Sequence, residues 1–236
     1  LNSVATWQAS LRGVPIFCIV GHEAEAAEHF RNYRFDLLST ALYQFVWNEY
    51  CDWYLEIAKV QIQTGSEAQQ RATRRTLIRV LEAVLRLLHP ITPFITEELW
   101  TVTGEDGPAR EAVLALAPWP ALKGLENEAA EAEIGWLVDT ITAIRSVRAE
   151  MNVAPGAQVP LILAGVSDKT ADRAGRYADL LKRLARLSDI GTAAAAHPSR
   201  LLRAVAATAG TALVLASERV SFSRVIASTP ALAALD

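Results

Sequence analysis

The segment from Ala68 to Leu88 constrains the fold more than any other part of this sequence. Its apolar residues recur at spacings of three and four, which places them on one face of an α-helix. That face comprises Leu77, Ile78, Leu81, Val84, Leu85 and Leu88. Because a residue before proline is pushed away from helical geometry, His89 before Pro90 predicts the end of this helix.

Three further helices are predicted around this one. They cover residues 23–31, 36–59 and 93–104. Asp36 and Thr92 are predicted N-caps, and Pro93 suits the first helical position because its missing N–H group needs no partner there. A polar loop is predicted over residues 61–68. Antiparallel helices with short connections predict a helical bundle.

The composition changes between Gly104 and Gly124, where proline and glycine recur. We therefore predict a domain boundary near residue 124, with a helical bundle in residues 1–123 and a second domain in residues 124–236.

The second domain is predicted to mix helices and strands. Helices are predicted over residues 128–152 and 168–187, the latter with Asp168 as its N-cap. Strands are predicted over residues 159–164, 190–194 and 211–216. This order predicts a small α+β module, so the whole chain is expected to be mainly α-helical.

Composition and motifs exclude several kinds of protein. A hydrophobic fraction of 51% excludes general disorder, and no apolar run reaches the roughly 18 residues that a membrane span requires. The two cysteines, Cys18 and Cys51, cannot supply a disulfide framework or a four-ligand zinc site, which favours a reducing, cytoplasmic setting. The net charge of −3 argues against a protein built wholly to bind polyanions, although it leaves a local basic face open.

No motif for catalysis is present. The sequence has no glycine-rich phosphate loop, no His-Glu-x-x-His pair and no Gly-x-Ser-x-Gly turn. We therefore predict no catalytic residue and no metal site in this segment. The chain starts at Leu1 and its single methionine is Met151, so we expect a piece of a longer protein.

Aromatic residues follow one face of the helix predicted over residues 36–59. Tyr43, Trp47, Tyr50 and Tyr54 recur at spacings of four, three and four. They could form a stacking platform for nucleic-acid bases or the core of the bundle, and we favour the core because no Lys or Arg is interleaved. Acidic residues occupy another face, where we predict salt bridges to arginines of the next helix. These acids are Glu49, Asp52 and Glu56.

Arginines line the side of the 68–88 helix opposite its apolar face. They are Arg71, Arg75, Arg79 and Arg86. The line suits a strip that follows the phosphates of a nucleic acid. It also suits a solvated face in which Glu82 pairs with Arg79 or Arg86, and both interpretations remain open.

Two more arginines lie within an apolar face. Arg145 and Arg148 share a side of the 128–152 helix with isoleucine, leucine and valine residues. Since a guanidinium is rarely buried without a partner, we favour an internal or interdomain ion pair, with Glu150 and Asn152 as nearby candidates, over direct contact with RNA.

Four sequence motifs resemble those of one family. They are residues 32–56, which include NYRFD and LYQFVWNEYCDWYLE, residues 88–100 (LHPITPFITEELW), residues 118–120 (PWP) and residues 144–152 (IRSVRAEMN). Together they resemble the anticodon-binding region of bacterial valyl-tRNA synthetases, which are class I aminoacyl-tRNA synthetases. The resemblance extends from about residue 24 to residue 190.

The resemblance implies that this chain binds tRNA(Val) and positions it for ATP-dependent aminoacylation and editing. It places that chemistry, with ATP and Mg, in catalytic and editing domains upstream in the same polypeptide, and implies no cofactor in this segment. It also implies a cytoplasmic monomer without membrane contact. The candidate tRNA contacts are Arg71, Arg75, Arg79, Arg86, Arg145 and Arg148. The alternative is a freestanding helical module for protein or RNA interaction without a catalytic role.

Overall fold

A computed structural model describes residues 18–105, 110, 112–122, 127–193, 211–216 and 225–228. The chain divides into two compact units, Leu1–Ile134 and Gly135–Asp236. This division falls within a helix, and the domain bounds predicted near residue 124 remain a prediction.

The first unit is the predicted bundle of helices. Its elements are α1 (Cys18–Arg31), α2 (Phe35–Gln44), a π-helix (Phe45–Tyr54), α3 (Leu55–Thr64), α4 (Glu67–Leu88), α5 (Pro93–Gly104) and a short 3₁₀ turn (Leu114–Leu116). α2, the π-helix and α3 follow one another without a break in the helical backbone. In the packing of the unit α1 contacts α2, α3 contacts α4, and α4 contacts α5.

The break between α1 and α2 lies where it is predicted, but the cap differs. Tyr33 takes a positive φ of 54°, and the amide of Arg34 donates to the carbonyl of His29 (2.9 Å), which closes the end of α1. α2 begins at Phe35, so Arg34 holds the N-cap position and the prediction of Asp36 there is wrong. The carboxylate of Asp36 instead accepts two hydrogen bonds from the Arg34 guanidinium, at 3.0 and 2.7 Å.

The loop between α3 and α4 is shorter than predicted, because α3 continues to Thr64. Gly65 makes the sharp turn possible, since a Cβ there would lie 2.5 Å from the carbonyl oxygen of Gln61. Ser66 then caps α4 in a capping box, in which Gln69 Oε1 accepts from the Ser66 amide (2.8 Å). α4 therefore starts within one residue of its predicted position.

The start of α5 is also close to the prediction, while the role of its capping residue differs. Thr92 holds the N-cap position before Pro93, but its hydroxyl makes no capping bond. The hydroxyl instead donates to the carbonyl of Leu88 (3.2 Å) and so ties α5 to the end of α4.

The π-helix changes which residues face the core. Buried positions follow α-helical spacing from Leu38 through Leu42 to Phe45, and the next buried residue is Tyr50, five positions on. A π turn bonds residue i to residue i+5 and so holds an extra residue compared with an α turn. α-Helical spacing resumes after Tyr50 with Tyr54 and Ile57.

The buried face of α4 is rotated from the predicted one. Ile78, predicted to be in the core, is exposed, whereas Val80, Ala83 and Leu87 are buried. Because α4 packs against both α3 and α5, its covered surface is wider than a single stripe. The predicted core positions Val84 and Leu85 are buried as expected.

The second unit mixes helices and a sheet, as predicted. Its elements, with the long helix that leads into it, are α6 (Glu128–Glu150), β1 (Val159–Ala164), α7 (Asp168–Arg176), α8 (Ala178–Leu184), β2 (Leu187–Ala193), β3 (Thr211–Ala216) and β4 (Val225–Ser228). The sheet order is β2-β1-β3-β4. β1 runs parallel to β2 and β3, and β4 runs antiparallel to β3.

Three details of this unit differ from the predictions. The single helix predicted over residues 168–187 is broken at Tyr177, and its last residue, Leu187, already belongs to β2. Ser167, not Asp168, is the N-cap, and its side chain accepts from the amide of Thr170. The end of the predicted 190–194 strand, Ala194, lies outside the described residues, and β4 was not predicted at all.

None of the helices in the described part of the chain has the length and apolar character needed to span a membrane.

Candidate nucleic-acid interface

Three of the four predicted arginines of α4 form an exposed line, which we call the arginine face. Arg71, Arg75 and Arg79 are exposed and follow one another at intervals of four residues. At 1.5 Å per residue each step advances about 6 Å along the helix. Arg71 lies 3.5 Å from Glu67, and both side chains are largely exposed, so this ion pair holds the guanidinium only weakly.

Arg86, the fourth of these arginines, has a different environment. It is half-buried, with its guanidinium 5.0 Å from the centre of the Trp100 ring. Arg110 lies over the same ring at 3.9 Å and donates to Glu82 Oε1 (2.6 Å). Two guanidinium groups against one indole and one carboxylate form a cation–π cluster between α4 and α5. The sequence spacing gave no indication that Arg110 is a partner of Glu82.

The four aromatic residues separate into two pairs. Tyr50 and Tyr54 are buried, as the core interpretation predicts, and burial raises the pKa of Tyr50 to about 12. Tyr43 and Trp47 are 63% and 56% exposed, so for them the core interpretation is wrong. Their rings are parallel within 4°, with centroids 6.2 Å apart. The π-helix is the cause, because it begins between Tyr43 and Trp47 and breaks the α-helical spacing that would align the four rings.

The acidic residues near these aromatics find partners that the spacing did not predict. His22 on α1 lies 2.9 Å from Glu49, and its ring packs 4.9 Å from that of Phe45. The hydrogen bond to Glu49 raises the pKa of His22 above its usual 6.5, and burial opposes this effect in part. Glu56 pairs with Lys59, about one turn later in α3. The salt bridges to arginines of the next helix that the sequence predicts for these acids remain a prediction.

Arg148 in α6 is buried in the second unit and donates to three main-chain carbonyl groups. Its Nη2 donates to Ala157 (2.7 Å) and Ala154 (3.3 Å), and its Nη1 donates to Arg186 (3.3 Å). Burial lowers the pKa of Arg148, and the nearby charge of Arg186 adds to this effect. The ion pair predicted for Arg148 is therefore wrong: its charge is buried within the second unit, but its partners are carbonyl oxygens and not a carboxylate.

Arg145 lies at the edge of the same face and remains exposed. Its Nε and Nη2 both donate to the carbonyl oxygen of Leu184, at 3.2 and 3.0 Å. Leu184 is the last residue of α8, where carbonyl groups have no partner within the helix. Arg145 therefore caps the end of α8. Of the predicted neighbours, Glu150 lies 3.4 Å from Ser146, and Asn152 lies in the turn after α6 with a φ of 52°. The ion pair predicted for Arg145 remains a prediction.

One further polar contact shapes the first unit and has no signal in sequence spacing. Glu97 on α5 accepts from the amides of Leu114 (2.7 Å) and Ala115 (3.3 Å), and so holds the 3₁₀ turn. Within the described residues, no three or more His, Cys, Asp or Glu side chains are grouped as a metal site would require.

Comparisons with known proteins agree on one kind of relative. Residues 22–163 match the family described as the anticodon-binding domain of tRNA ligase. Valine–tRNA ligase of Caulobacter vibrioides is 49% identical over 174 residues, which are 73% of this chain and 19% of the relative. Valine–tRNA ligase of Dechloromonas aromatica is 48% identical over 170 residues, or 71% of this chain and 18% of the relative. Valine–tRNA ligase of Rhodopseudomonas palustris is 43% identical over 205 residues, and the match covers 73% of this chain and 21% of the relative.

The chain therefore spans about a fifth of the length of the curated relatives it matches. The family match covers more than half of the chain and includes the whole arginine face and the exposed aromatic pair. This chain belongs to the anticodon-binding domain family of tRNA ligases.

Proposed function

We propose that this chain is the tRNA-binding part of a valine–tRNA ligase. In that role it positions tRNA(Val) for aminoacylation and editing carried out by other domains of the same polypeptide, in a cytoplasmic monomer. ATP and Mg would serve those other domains, and we assign no residue of this chain to them. The family match and three relatives named valine–tRNA ligase support this proposal, and they lend no support to a freestanding module.

The arginine face carries the proposal. A guanidinium is always charged at neutral pH and presents several donors that suit phosphate oxygens. Arg71, Arg75 and Arg79 offer three such groups along about 12 Å of one helix, on an exposed surface. Each phosphate that they neutralise releases condensed counterions, which favours binding at low salt.

The other three predicted contacts have different roles in this proposal. Arg86 lies near the end of the same helix, and its contact with Trp100 holds it in place beside the arginine face. Arg145 is exposed while capping α8, so its guanidinium is positioned at the surface of the second unit. For Arg148 we propose a positioning role, in which it fixes the turns on which neighbouring surface groups stand.

A salt titration tests the proposal. The chain is titrated with tRNA(Val) and with an unrelated tRNA at several salt concentrations, and the association constant is expected to fall linearly on a log–log plot. Replacing both Arg75 and Arg79 by Ala should reduce the slope by about one for each lost phosphate contact. Ile78→Ala, an uncharged exposed position between them, is the matched control and should leave the slope unchanged. Absence of binding, or binding that is indifferent to salt, would contradict the proposal.

A further inference from the structure

The continuous helical segment formed by α2 and the π-helix carries two aromatic side chains that are exposed to solvent. Tyr43 and Trp47 are 63% and 56% exposed, and their rings are parallel within 4°. Aromatic faces of this kind bind unpaired bases by stacking. We propose that Tyr43 and Trp47 form a stacking platform for an unpaired base in the anticodon loop of the bound tRNA. This inference rests on the proposed function.

The backbone presents the pair to solvent through the π-helix. If the whole segment were α-helical, Tyr43 and Trp47 would share a face with Tyr50 and Tyr54, which are core residues. The longer π turn separates the two pairs and leaves the first outside. π turns are rare and occur frequently at functional sites, and this one begins at Phe45, between the two exposed rings.

The neighbouring side chains favour a base over a phosphate. Gln44 and Asn48 are exposed beside the rings, and each amide offers both donors and an acceptor to a base edge. From Phe35 to Ala58 the sequence contains no Lys or Arg, so this segment has no basic side chain that would bind phosphate. The exposure of the two rings, and not the charge around them, therefore supports the assignment over the core interpretation. In this proposal the platform contacts a base, whereas the arginine face contacts phosphates.

The extent of the apolar surface favours a base over a protein partner. The exposed residues near the two rings along the helix are polar. They are Ser39, Thr40, Gln44, Asn48 and Asp52. A protein interface needs a wider apolar centre surrounded by a polar rim, whereas a stacked base needs only an exposed aromatic face.

A coupling experiment tests the platform. The chain and its Tyr43→Ala and Trp47→Ala variants are titrated with tRNA(Val) and with the same tRNA made abasic at the unpaired positions of the anticodon loop. Each variant should bind intact tRNA roughly 5- to 100-fold more weakly than the unaltered chain. The abasic tRNA should bind all three proteins with similar affinity, because the stacking partner has already been removed. The slope of affinity against salt should not change, since no phosphate contact is lost.

Two further variants control for indirect effects. Trp47→Phe keeps an aromatic face and should retain affinity within about threefold. Phe94→Ala removes an exposed ring from α5, 91% exposed, and should bind like the unaltered chain. If an alanine variant fails to fold, intact and abasic tRNA are compared on the unaltered chain, and equal affinity for the two would refute the platform.

The outcomes separate the two proposals. If the unaltered chain binds tRNA with the expected salt dependence but the alanine variants bind equally well, the platform is refuted and the proposed function stands. Equal losses on intact and abasic tRNA would also refute it and would indicate a contact other than a base. If the unaltered chain does not bind tRNA at all, both proposals fail.

Discussion

The guanidinium of Arg148 donates to three carbonyl groups in two stretches of main chain in the second unit. It donates to carbonyl groups of Ala154 and Ala157, which precede β1, and of Arg186, which precedes β2. Removing it would leave these buried oxygen atoms without their donor, and such groups are costly to leave unpaired. Arg148 is therefore a point on which the arrangement of α6 and the sheet depends.

We expect Arg148→Ala to lower the free energy of unfolding by about 2 to 4 kcal/mol. Arg145→Ala is the comparison, because it removes an exposed arginine of the same helix; its cost should be about 1 kcal/mol. Urea unfolding followed by circular dichroism measures both. Equal and small losses for the two variants would show that the buried bonds of Arg148 contribute little.

His22 links α1 to the π-helix through a charge. The hydrogen bond from its ring to Glu49 raises the pKa of His22, and Glu25 adds to the effect. A raised pKa means that the folded state binds this proton more tightly than the unfolded chain does. The stabilisation is therefore complete below about pH 6.5 and is lost as the pH rises through the folded pKa.

The melting temperature of the chain should accordingly fall as the pH is raised above about 6.5. The variant Glu49→Gln removes the main cause of the shift and should flatten this part of the pH profile. The unaltered chain and the variant are compared by thermal unfolding from about pH 5.5, roughly one unit below the ordinary pKa of histidine, to about pH 8.5. A profile that is the same in both proteins would contradict the role given to this pair.

At the residue scale the sequence predicted positions better than partners. It placed Arg148 on an apolar, buried face, which is confirmed, but the ion pair predicted for Arg148 is wrong, because its partners are main-chain carbonyl oxygens. It could not identify the partner, because the acceptors are main-chain oxygens, and one of them, on Arg186, lies 38 residues away. Main-chain carbonyl groups occur at every residue and leave no pattern in a sequence.

At the scale of secondary structure, the π-helix determines which side chains of the continuous segment of α2, the π-helix and α3 are exposed. Its extra residue explains why the buried line steps from Phe45 to Tyr50, five positions on, and it separates Tyr43 and Trp47 from the core aromatics. The number of residues between Phe45 and Tyr50 should therefore affect the free energy of unfolding.

We expect the deletion of Asn48 to be tolerated, with a loss of about 1 to 2 kcal/mol in the free energy of unfolding. It would bring Phe45 and Tyr50 to α-helical spacing and leave all core residues facing inward. Deletion of Lys59, an exposed residue in α3, would instead rotate every later residue of α3 by about 100° around the helix axis and move the buried ones out of the core. This deletion should lower the free energy of unfolding by more than about 4 kcal/mol. Equal costs, measured by chemical unfolding, would contradict the account.

Helices were predicted with their ends mostly within a few residues, because apolar periodicity and capping residues are local signals. The π-helix was not predicted, since a periodicity of 3.6 residues was assumed throughout. The same assumption made one aromatic stripe out of two pairs, so the exposed pair was assigned to the core. The break at Tyr177 was missed for a related reason, as apolar spacing continues across it.

At the scale of the whole molecule, the net charge is a poor guide to partners. The chain carries −3 overall, yet Arg71, Arg75 and Arg79 concentrate positive charge on one exposed face. Local fields near a surface depend on such groupings and not on the total. The order of a helical bundle before an α+β module was predictable from the order of local patterns, whereas β4 was not, because a four-residue strand has too little sequence to show a periodicity.

The central claim is that the arginine face of α4 binds the phosphates of tRNA, and a charge-matched comparison tests it most directly. One double variant carries Arg75→Gln and Arg79→Gln, and the other carries Arg176→Gln and Arg183→Gln, two exposed arginines of the second unit. Both change the net charge equally, and the slope of log affinity for tRNA(Val) against log salt is measured for each. The account predicts a slope lower by about two in the first variant and nearly unchanged in the second. Equal slopes in the two variants would contradict it.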